Sequence, residues 1–215
     1  MIGVQMSQSI VDRVKEKVRH HLVLQALFGT LARVGIEVAP YYVTHEYLNP
    51  EIKLRLDPEL GQVVTALLSP EEIEALYTHP DSKVMGDVKA TYLDERCLCF
   101  GLKVNGETAA YMWCNLHRCH HRFDMFPLKD DEAYLCSAVT FRAYRGNNLA
   151  PVLRYEVYRH LNQTGRTNFY SLTEFFNTSA LKFKEKLGAR QLRLGLHIGL
   201  FKRFHWSITL KKYRV

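Results

Sequence analysis

The sequence lacks any apolar run near the roughly 20 residues that a membrane-spanning helix needs. It also lacks an N-terminal apolar segment with a small-residue cleavage site, which a secretory signal would show. The cysteines number five, an odd count in a chain that is not small, so a disulfide framework is not indicated. These absences predict a cytoplasmic protein whose cysteines are thiols.

No dense block of lysine and arginine is present, although the 215-residue chain has 29 basic and 22 acidic residues and a formal net charge of +7. This balance favours anionic partners, such as a phosphorylated cofactor, a membrane surface or a nucleic acid, without choosing among them. No nucleic-acid motif is found, and no nucleic-acid partner is expected. The hydrophobic content of 47% allows a sizeable core and argues against disorder.

The first 85 residues predict a helix, a strand and a turn-rich stretch. A helical period runs from a cap at Ser7 to about Val34, with its apolar face expected on the core and Gly35 as its end. Residues 36–48 indicate a strand that Pro40 interrupts, and residues 49–70 indicate turns. A helix from Ser69 to about Tyr77 follows, since Ser69 is a good cap and Pro70 suits the first turn, and a short helix is predicted at 85–93.

From Arg96 onward the pattern becomes that of a sheet with two helices. Asn105-Gly106 is a strong hairpin signal between strands at 97–104 and 107–114. A polar, His-rich loop is predicted at 115–132, followed by an uncharged strand buried on both faces. The remaining elements are predicted in this order: strand 134–141, helix 148–161, strand 168–172, helix 178–187, and strands 191–198 and 205–213.

The turn at 145–150 has the composition of an anion site. A strand that runs directly into a helix leaves backbone N–H groups free at the positive end of the helix dipole. Arg145 adds a charge, and Gly146 lets a phosphate approach the backbone closely. Asn147 and Asn148 both tolerate the left-handed conformation that such a turn needs. On local grounds the alternative is an ordinary surface turn.

This turn resembles the first motif of the GNAT superfamily, the acetyl-CoA-dependent N-acyltransferases. That motif is a strand followed by Arg/Gln-x-x-Gly-x-Gly/Ala at a helix start. Arg145 and Ala150 match its defined positions, and Gly146 fits at a position that the motif leaves open. Asn148 stands where the family usually has glycine. The second motif is Asn-x-x-Ala before a short helix and Leu-Gly-Phe. Residues 177–180 match its first part and Leu187-Gly188 match its second, with Ala189 in the place of the phenylalanine. The resemblance covers about residues 86–215.

The resemblance implies an α/β fold with a central mixed, mainly antiparallel sheet flanked by helices. Parallel strands ending near Phe141 and Leu172 should splay to admit the pantetheine arm of the cofactor. Residues 1–85 would be a helix and strand extension packed on this core, or 1–215 would be one continuous domain.

The resemblance also implies the residues that contact acetyl-CoA or another acyl-CoA. The strand at 138–141, with Val139 and Phe141, would pair with the pantetheine amides, and an N–H near Val139 would polarise the thioester. Asn177 would meet the pantetheine arm, and its alternative role is a helix cap. The backbone amides that would hold the pyrophosphate are those of Gly146, Asn147, Asn148, Leu149 and Ala150, beside the charge of Arg145.

Catalytic groups are less well defined. Lys184 falls where the family often has a thiol-protonating tyrosine, and would need a lowered pKa to act near neutrality. Its alternative is an exposed helix lysine. Glu174 is the first candidate for general base, or a loop carboxylate paired with a local lysine. The further candidate bases are Asp130, Asp131, Glu132, His120 and His121, and the first three also read as a solvated charged turn.

The cluster Cys114-Asn115-Leu116-His117-Arg118-Cys119-His120-His121 contains zinc-type ligands, but its spacing matches no finger, so no metal is expected. It is interpreted as a loop that lines the acceptor side. The predicted function is an N-acyltransferase that moves an acyl group to a primary amine. Two alternatives are a non-catalytic acyl-CoA-binding module and a basic nucleic-acid or membrane-surface protein. The acceptor is not readable, and a homodimer is left open.

Overall fold

The computed structural model describes residues 22–82 and 97–214. Eight strands form one sheet in the order β10-β9-β1-β8-β7-β4-β3-β2, and β5 pairs with β6 in a separate hairpin. All pairings in the sheet are antiparallel except β7 with β8. The strands are β1 Ile36–Glu46, β2 Val63–Leu67, β3 Cys97–Val104, β4 Glu107–Asn115, β5 Arg118–His121, β6 Asp124–Pro127, β7 Glu132–Thr140, β8 Asn168–Glu174, β9 Arg190–Leu200 and β10 Phe204–Lys212.

Four helices accompany the sheet in the described part of the chain. They are α1 at residues 22–33, α2 at Pro70–Thr78, α3 at Leu149–Gln163 and α4 at Thr178–Lys186. Short 3-10 turns lie at Pro58–Leu60 and Arg142–Tyr144. Within the described residues, no helix is long and apolar enough to cross a membrane.

Helix α3 covers one face of the sheet. Its residues Leu153, Val157 and Leu161 recur every four positions, so they lie on one side of the helix. All three are buried in the main core with Phe100 and Leu135 of the sheet. Full burial of a side chain of this kind contributes about 1.5–3 kcal/mol, so this stripe fixes where the N-terminus of α3 sits.

Strand β1 lies inside the sheet, between β8 and β9. Pro40 does not interrupt it, contrary to the sequence-based expectation. The carbonyl oxygen of Pro40 accepts a hydrogen bond from the N–H of Phe175, just beyond the end of β8. In an antiparallel ladder the N–H and the C=O of one residue point to the same neighbouring strand. The N–H that Pro40 lacks would therefore point toward β8, at a place where β8 has already ended. Whether residues 1–85 are a separable extension stays a prediction.

Strands β7 and β8 separate as expected from the resemblance. Their parallel pairing covers only Glu132–Tyr134 against Asn168–Tyr170. Beyond it, β7 contains an irregularity in its pairing with β4 and a left-handed residue, Ser137, at φ 48°. A bulge of this kind bends a strand away from its neighbour. The rest of β7 and β8 therefore diverge and open one edge of each strand.

Several local predictions are confirmed. Helix α2 begins at a complete capping box formed by Ser69 and Glu72. The β3–β4 hairpin turns at Asn105 and Gly106, both with positive φ. Gly35, at φ 85°, follows the end of α1. The cap at Ser7 and the helix at 85–93 lie outside the described residues.

Other predictions are wrong. The stretch 115–132 is not a loop, because it contains the β5–β6 hairpin. Strand β2 lies within a stretch that was predicted as turns. Helix α1 does not bury its apolar face in the described part: Leu22 is 60% exposed and Leu27 51%, while Phe28 contacts the ring of Phe176. The period of apolar residues shows which face of a helix is apolar, but it does not show whether another part of the protein packs against that face.

Candidate functional site

The turn between β7 and α3 has the backbone conformation that an anion site needs. Gly146 adopts φ 92°, and Asn148 is left-handed at φ 59°, ψ 22° as the residue before α3. A Cβ at Gly146 would have no neighbour within 4 Å, so glycine is favoured there by its φ rather than by lack of space. Asparagine at position 148 supplies the conformation for which the family usually has glycine.

The backbone N–H groups of this turn are free. Among the described residues, none accepts a hydrogen bond from an N–H between Gly146 and Ala150. The side chain of Asn148 does not cap the helix, since its Nδ2 donates to the carbonyl oxygen of Arg55 at 3.2 Å. The positive end of α3 therefore presents unpaired donors to whatever binds in front of it.

These donors open into a cleft of about 610 Å³ between β7, the start of α3 and the start of α4. Seven of the predicted cofactor residues line the cleft. Asn177 lies on one wall, and the other six are Val139, Arg145, Gly146, Asn148, Leu149 and Ala150. Arg145 is the charged residue in this lining, and no acid lines the cleft among the described residues. The electrostatics suit an anionic ligand.

The register of β7 differs from the sequence-based prediction. The N–H of Phe141 donates to the carbonyl oxygen of Ala109 in β4, and its ring is buried, stacked on His79 at 3.7 Å. Because ladder groups alternate in direction, Val139 also turns its backbone groups toward β4. Ala138 and Thr140 therefore face the cleft, and Phe141 is not in its lining.

Arg145 and Asn177 hold their places through local hydrogen bonds. Arg145 is exposed, and its Nε donates to the carbonyl oxygen of Thr140 at 3.1 Å. Asn177 caps α4, because its Oδ1 accepts from the N–H of Ala180 at 3.2 Å. Its position in the cleft wall leaves the amide able to act in both predicted roles. Asn147 is not among the lining residues.

A buried ionic network next to the cleft was not predicted. Glu46 of β1 is fully buried and forms a bidentate pair with Arg154 of α3, at 3.0 and 3.1 Å. The hydroxyls of Tyr158 and Ser171 also donate to its carboxylate. Burial alone would raise the pKa of Glu46, but the charges of Arg154 and Lys184 and these hydrogen bonds hold it below its usual value.

Lys184 belongs to this network. The interpretation of an exposed helix lysine is wrong, since Lys184 is only 4% exposed. Its Nζ donates to the hydroxyls of Ser171, at 2.6 Å, and Thr173, and lies 3.9 Å from a Glu46 oxygen. Burial lowers the pKa of Lys184 to about 7; Glu46 opposes this shift and Arg154 adds to it. Lys184 meets the pKa condition for proton transfer near neutrality, but it is absent from the cleft lining.

The predicted carboxylate bases do not line the cleft. Glu174 ends β8 in an exposed position, where it pairs with Arg122 at 3.3 Å rather than with a lysine. Glu132 accepts from the N–H of Lys129 and the hydroxyl of Tyr170. Asp131 likewise accepts a hydrogen bond, from the side chain of Asn168.

The Cys/His segment forms strand rather than loop. His120 and His121 lie on β5, and burial lowers the pKa of His121 to about 4. Cys114 and Cys119 are buried thiols. Among the described residues, no three His, Cys, Asp or Glu side chains lie close enough to hold a metal ion.

No protein-family model matches the sequence, and the comparison with curated proteins found no match. Solved structures do resemble it. A GCN5-related N-acetyltransferase from Kribbella flavida matches at 14% identity and a TM-score of 0.54, over 79% of this chain and 62% of its own. A GNAT-family acetyltransferase from Colwellia psychrerythraea matches at 17% and 0.54, over 77% of this chain and 57% of its own.

A third match is a GCN5-related N-acetyltransferase-like protein from Streptococcus suis, at 14% identity and a TM-score of 0.53, over 83% of this chain and 66% of its own. The chain thus spans less than two thirds of the length of these structures. At such identities the likeness concerns the fold alone. The protein has a GNAT-like fold.

Proposed function

We propose that the protein is an N-acyltransferase that moves an acyl group, in the first instance acetyl, from acyl-CoA to a primary amine. The observation that carries the proposal is the free N-terminus of α3, which opens into a cleft where β7 and β8 have separated. A pyrophosphate needs several donors and a positive potential at one place. The turn at 146–150 supplies the donors, and Arg145 with the helix dipole supplies the potential.

The rest of the donor fits the same cleft in this proposal. The backbone groups of Ala138 and the N–H of Thr140 have lost their parallel neighbour and can pair with the amides of the pantetheine arm, while the carbonyl oxygen of Thr140 also accepts from Arg145. Asn177 lies on the facing wall. The thioester would then lie between the diverging ends of β7 and β8, where an amine can approach from the open side.

The reaction requires two proton movements. The amine nitrogen attacks the thioester carbonyl carbon, the C–S bond breaks, and an amide forms; the nitrogen loses a proton and the thiolate gains one. Lys184 is our candidate for the second movement, because its pKa of about 7 suits both holding and releasing a proton at neutral pH. Its ammonium points to Ser171 and Thr173, so it must turn toward the cleft to reach the thiolate. Glu174, beside the opening, is our candidate for the first.

A second candidate is a non-catalytic acyl-CoA-binding module. It is favoured by the absence of any acid from the cleft lining of the described chain, and by the ammonium of Lys184, which is turned toward Ser171 and Thr173. Such a protein would bind acyl-CoA without releasing free thiol.

The test is thiol release from acetyl-CoA in the presence of a panel of primary amines, including small amines, amino sugars and peptides. Wild type should release CoA thiol with at least one amine. Lys184→Met should lower kcat about a hundredfold to ten-thousandfold with a smaller change in KM, the range for a lost proton donor. Lys182→Gln, an exposed lysine on the same helix, is the control and should behave as wild type. Acetyl-CoA binding without thiol release would select the non-catalytic module.

A further inference from the structure

A second pocket lies on the other side of α4 from the acyl-CoA cleft. Its volume is about 510 Å³, and it is bounded by α4, β1 and the first residues of β9. It shares no lining residue with the cleft. Most of its lining residues can donate hydrogen bonds: Thr44, Lys184, Arg190, Gln191, Tyr213 and Arg214.

The pocket has an excess of positive charge. Arg190 and Arg214 form no ion pair with any described acid; Arg190 lies instead over the ring of Tyr47, at 5.7 Å. Glu185 is the acidic residue of the lining. A concave surface with more cations than anions concentrates negatively charged solutes.

The inner wall of the pocket contains polar groups that the protein leaves incomplete. The ammonium of Lys184 has three hydrogens, and among the described residues it makes two hydrogen bonds, both to neutral hydroxyls. The hydroxyl of Thr44 is buried and has no hydrogen-bond partner within the described chain. An unpaired buried polar group costs about 1–3 kcal/mol, so both groups favour a ligand that accepts hydrogen bonds.

The buried charges also do not balance. Glu46 contributes one negative charge, while Arg154 and protonated Lys184 contribute two positive charges. The bidentate bond with Arg154 uses both oxygens of the carboxylate, and Lys184 stays 3.9 Å from it. One positive charge beside the pocket therefore lacks a close counter-ion, which is costly in a poorly solvated place.

We propose that this pocket binds a small solute through a carboxylate or phosphate group. The anionic group faces Lys184 and Thr44 at the inner wall, and Arg190 and Arg214 hold it at the mouth. The site is separate from the cleft that we propose for acyl-CoA. The proposal rests on the pocket alone. An anion bound to Lys184 would keep this lysine from the thiolate, so the thiolate's proton would then have to come from another group.

The experiment is calorimetric titration of two probes, inorganic phosphate and succinate, into the Gly146→Glu protein at low ionic strength. That background places a carboxylate in the acyl-CoA cleft, so phosphate binding at 146–150 does not contribute. We expect saturable binding of at least one probe. The probe that binds more tightly identifies the anionic group.

Three substitutions in that background locate the site. Arg190→Gln and Thr44→Val should each weaken binding about tenfold, the value of roughly 1.4 kcal/mol for one lost hydrogen bond to an anion. Lys182→Gln removes the same charge from the exposed face of α4 and should change the affinity less than twofold. If Arg190→Gln and Lys182→Gln weakened binding equally, the loss would reflect the net charge of the protein and not a contact in the pocket. This result would overturn the proposal.

Two other results would also overturn it. The first is that neither probe binds saturably. The second is that Arg190→Gln weakens binding and Thr44→Val does not, because the anion would then lie at the mouth of the pocket and leave the buried groups unpaired. Acetyl-CoA binding by the wild-type protein is measured separately, so a failure here does not count against the acyltransferase proposal.

Discussion

The buried lysine predicts an unusual dependence of stability on pH. The pKa of Lys184 is about 7 in the folded protein and about 10.4 in an unfolded chain. Between these values the unfolded chain binds a proton that the folded chain has lost, so stability rises with pH. The cost of burying the charge is fully present below pH 7 and is relieved as the pH approaches 10. From pH 7 to pH 9 the gain from this group alone is about 2 kcal/mol.

Lys184→Met tests this reasoning by removing the charge while keeping an unbranched side chain. Urea unfolding at pH 7, 8 and 9 gives the free energy of unfolding of each protein. From pH 7 to 9 the wild type should gain about 2 kcal/mol more than the variant, and at pH 7 the variant should be as stable or more stable. Other titrating groups, such as the cysteines, cancel in this comparison.

The control is Lys182→Met, at an exposed position of the same helix, which should keep the wild-type pH dependence. Parallel profiles for wild type and Lys184→Met would refute the assignment, because they would mean that Lys184 keeps an ordinary pKa in the folded protein.

Two further predictions concern stability. Glu46→Gln should lower the free energy of unfolding by about 3–5 kcal/mol in urea denaturation at pH 7, because it leaves the buried Arg154 without its counter-ion; a loss below 1 kcal/mol would contradict the importance of the pair. Gly195→Ala should cost about 1–3 kcal/mol, since its Cβ would lie 2.4 Å from the buried ring of Tyr41. Gly29→Ala, where a Cβ meets nothing within 4 Å, is the matched control and should be neutral or stabilising by about 0.5–1 kcal/mol in the same assay.

Local signals in the sequence predicted many of the elements. Asn105-Gly106, Ser69 with Glu72, and the apolar stripe of α3 each act over a few residues, so their structure follows from their own chemistry. The place of β1 between β8 and β9 could not be read in this way. Strand order depends on long-range pairing, and nothing in residues 36–46 specifies a neighbour more than 120 residues away.

The candidate site shows the same division. The turn conformation at Gly146 and Asn148 was predictable, because few residues adopt positive φ. Which residues of β7 face the cleft was not, since a shift of one residue exchanges the two sides of a strand. The prediction named the whole strand at 138–141, but Phe141 pairs with β4 and does not line the cleft.

The sequence predicted that Lys184 lies near the cofactor, but it did not predict that the side chain is buried. The resemblance to the family placed it near the cleft, whereas its burial depends on Ser171 and Thr173 of β8 and on Glu46 of β1. A lysine on a short helix is usually exposed. A partial signal was available, since Glu46 closely follows Tyr41 and Val43, and a carboxylate buried beside such residues requires a cationic partner.

The central claim is that the turn at 145–150 binds the phosphates of acyl-CoA. It is tested most directly by calorimetry with acetyl-CoA on wild type, Gly146→Glu and Gly146→Gln. Both variants place a side chain at φ 92° and share the same backbone strain, of about 1–3 kcal/mol, but only glutamate brings a negative charge toward the phosphates.

The account predicts micromolar binding by wild type, a moderate loss in Gly146→Gln, and a further loss of about a hundredfold or more in Gly146→Glu. Two like charges about 4 Å apart near a protein surface repel by about 4 kcal/mol. This exceeds the free energy of a hundredfold loss, so the predicted loss remains even if solvent screens part of the repulsion. Equal affinities of the glutamine and glutamate variants, or no binding by wild type even with longer acyl-CoAs, would contradict it.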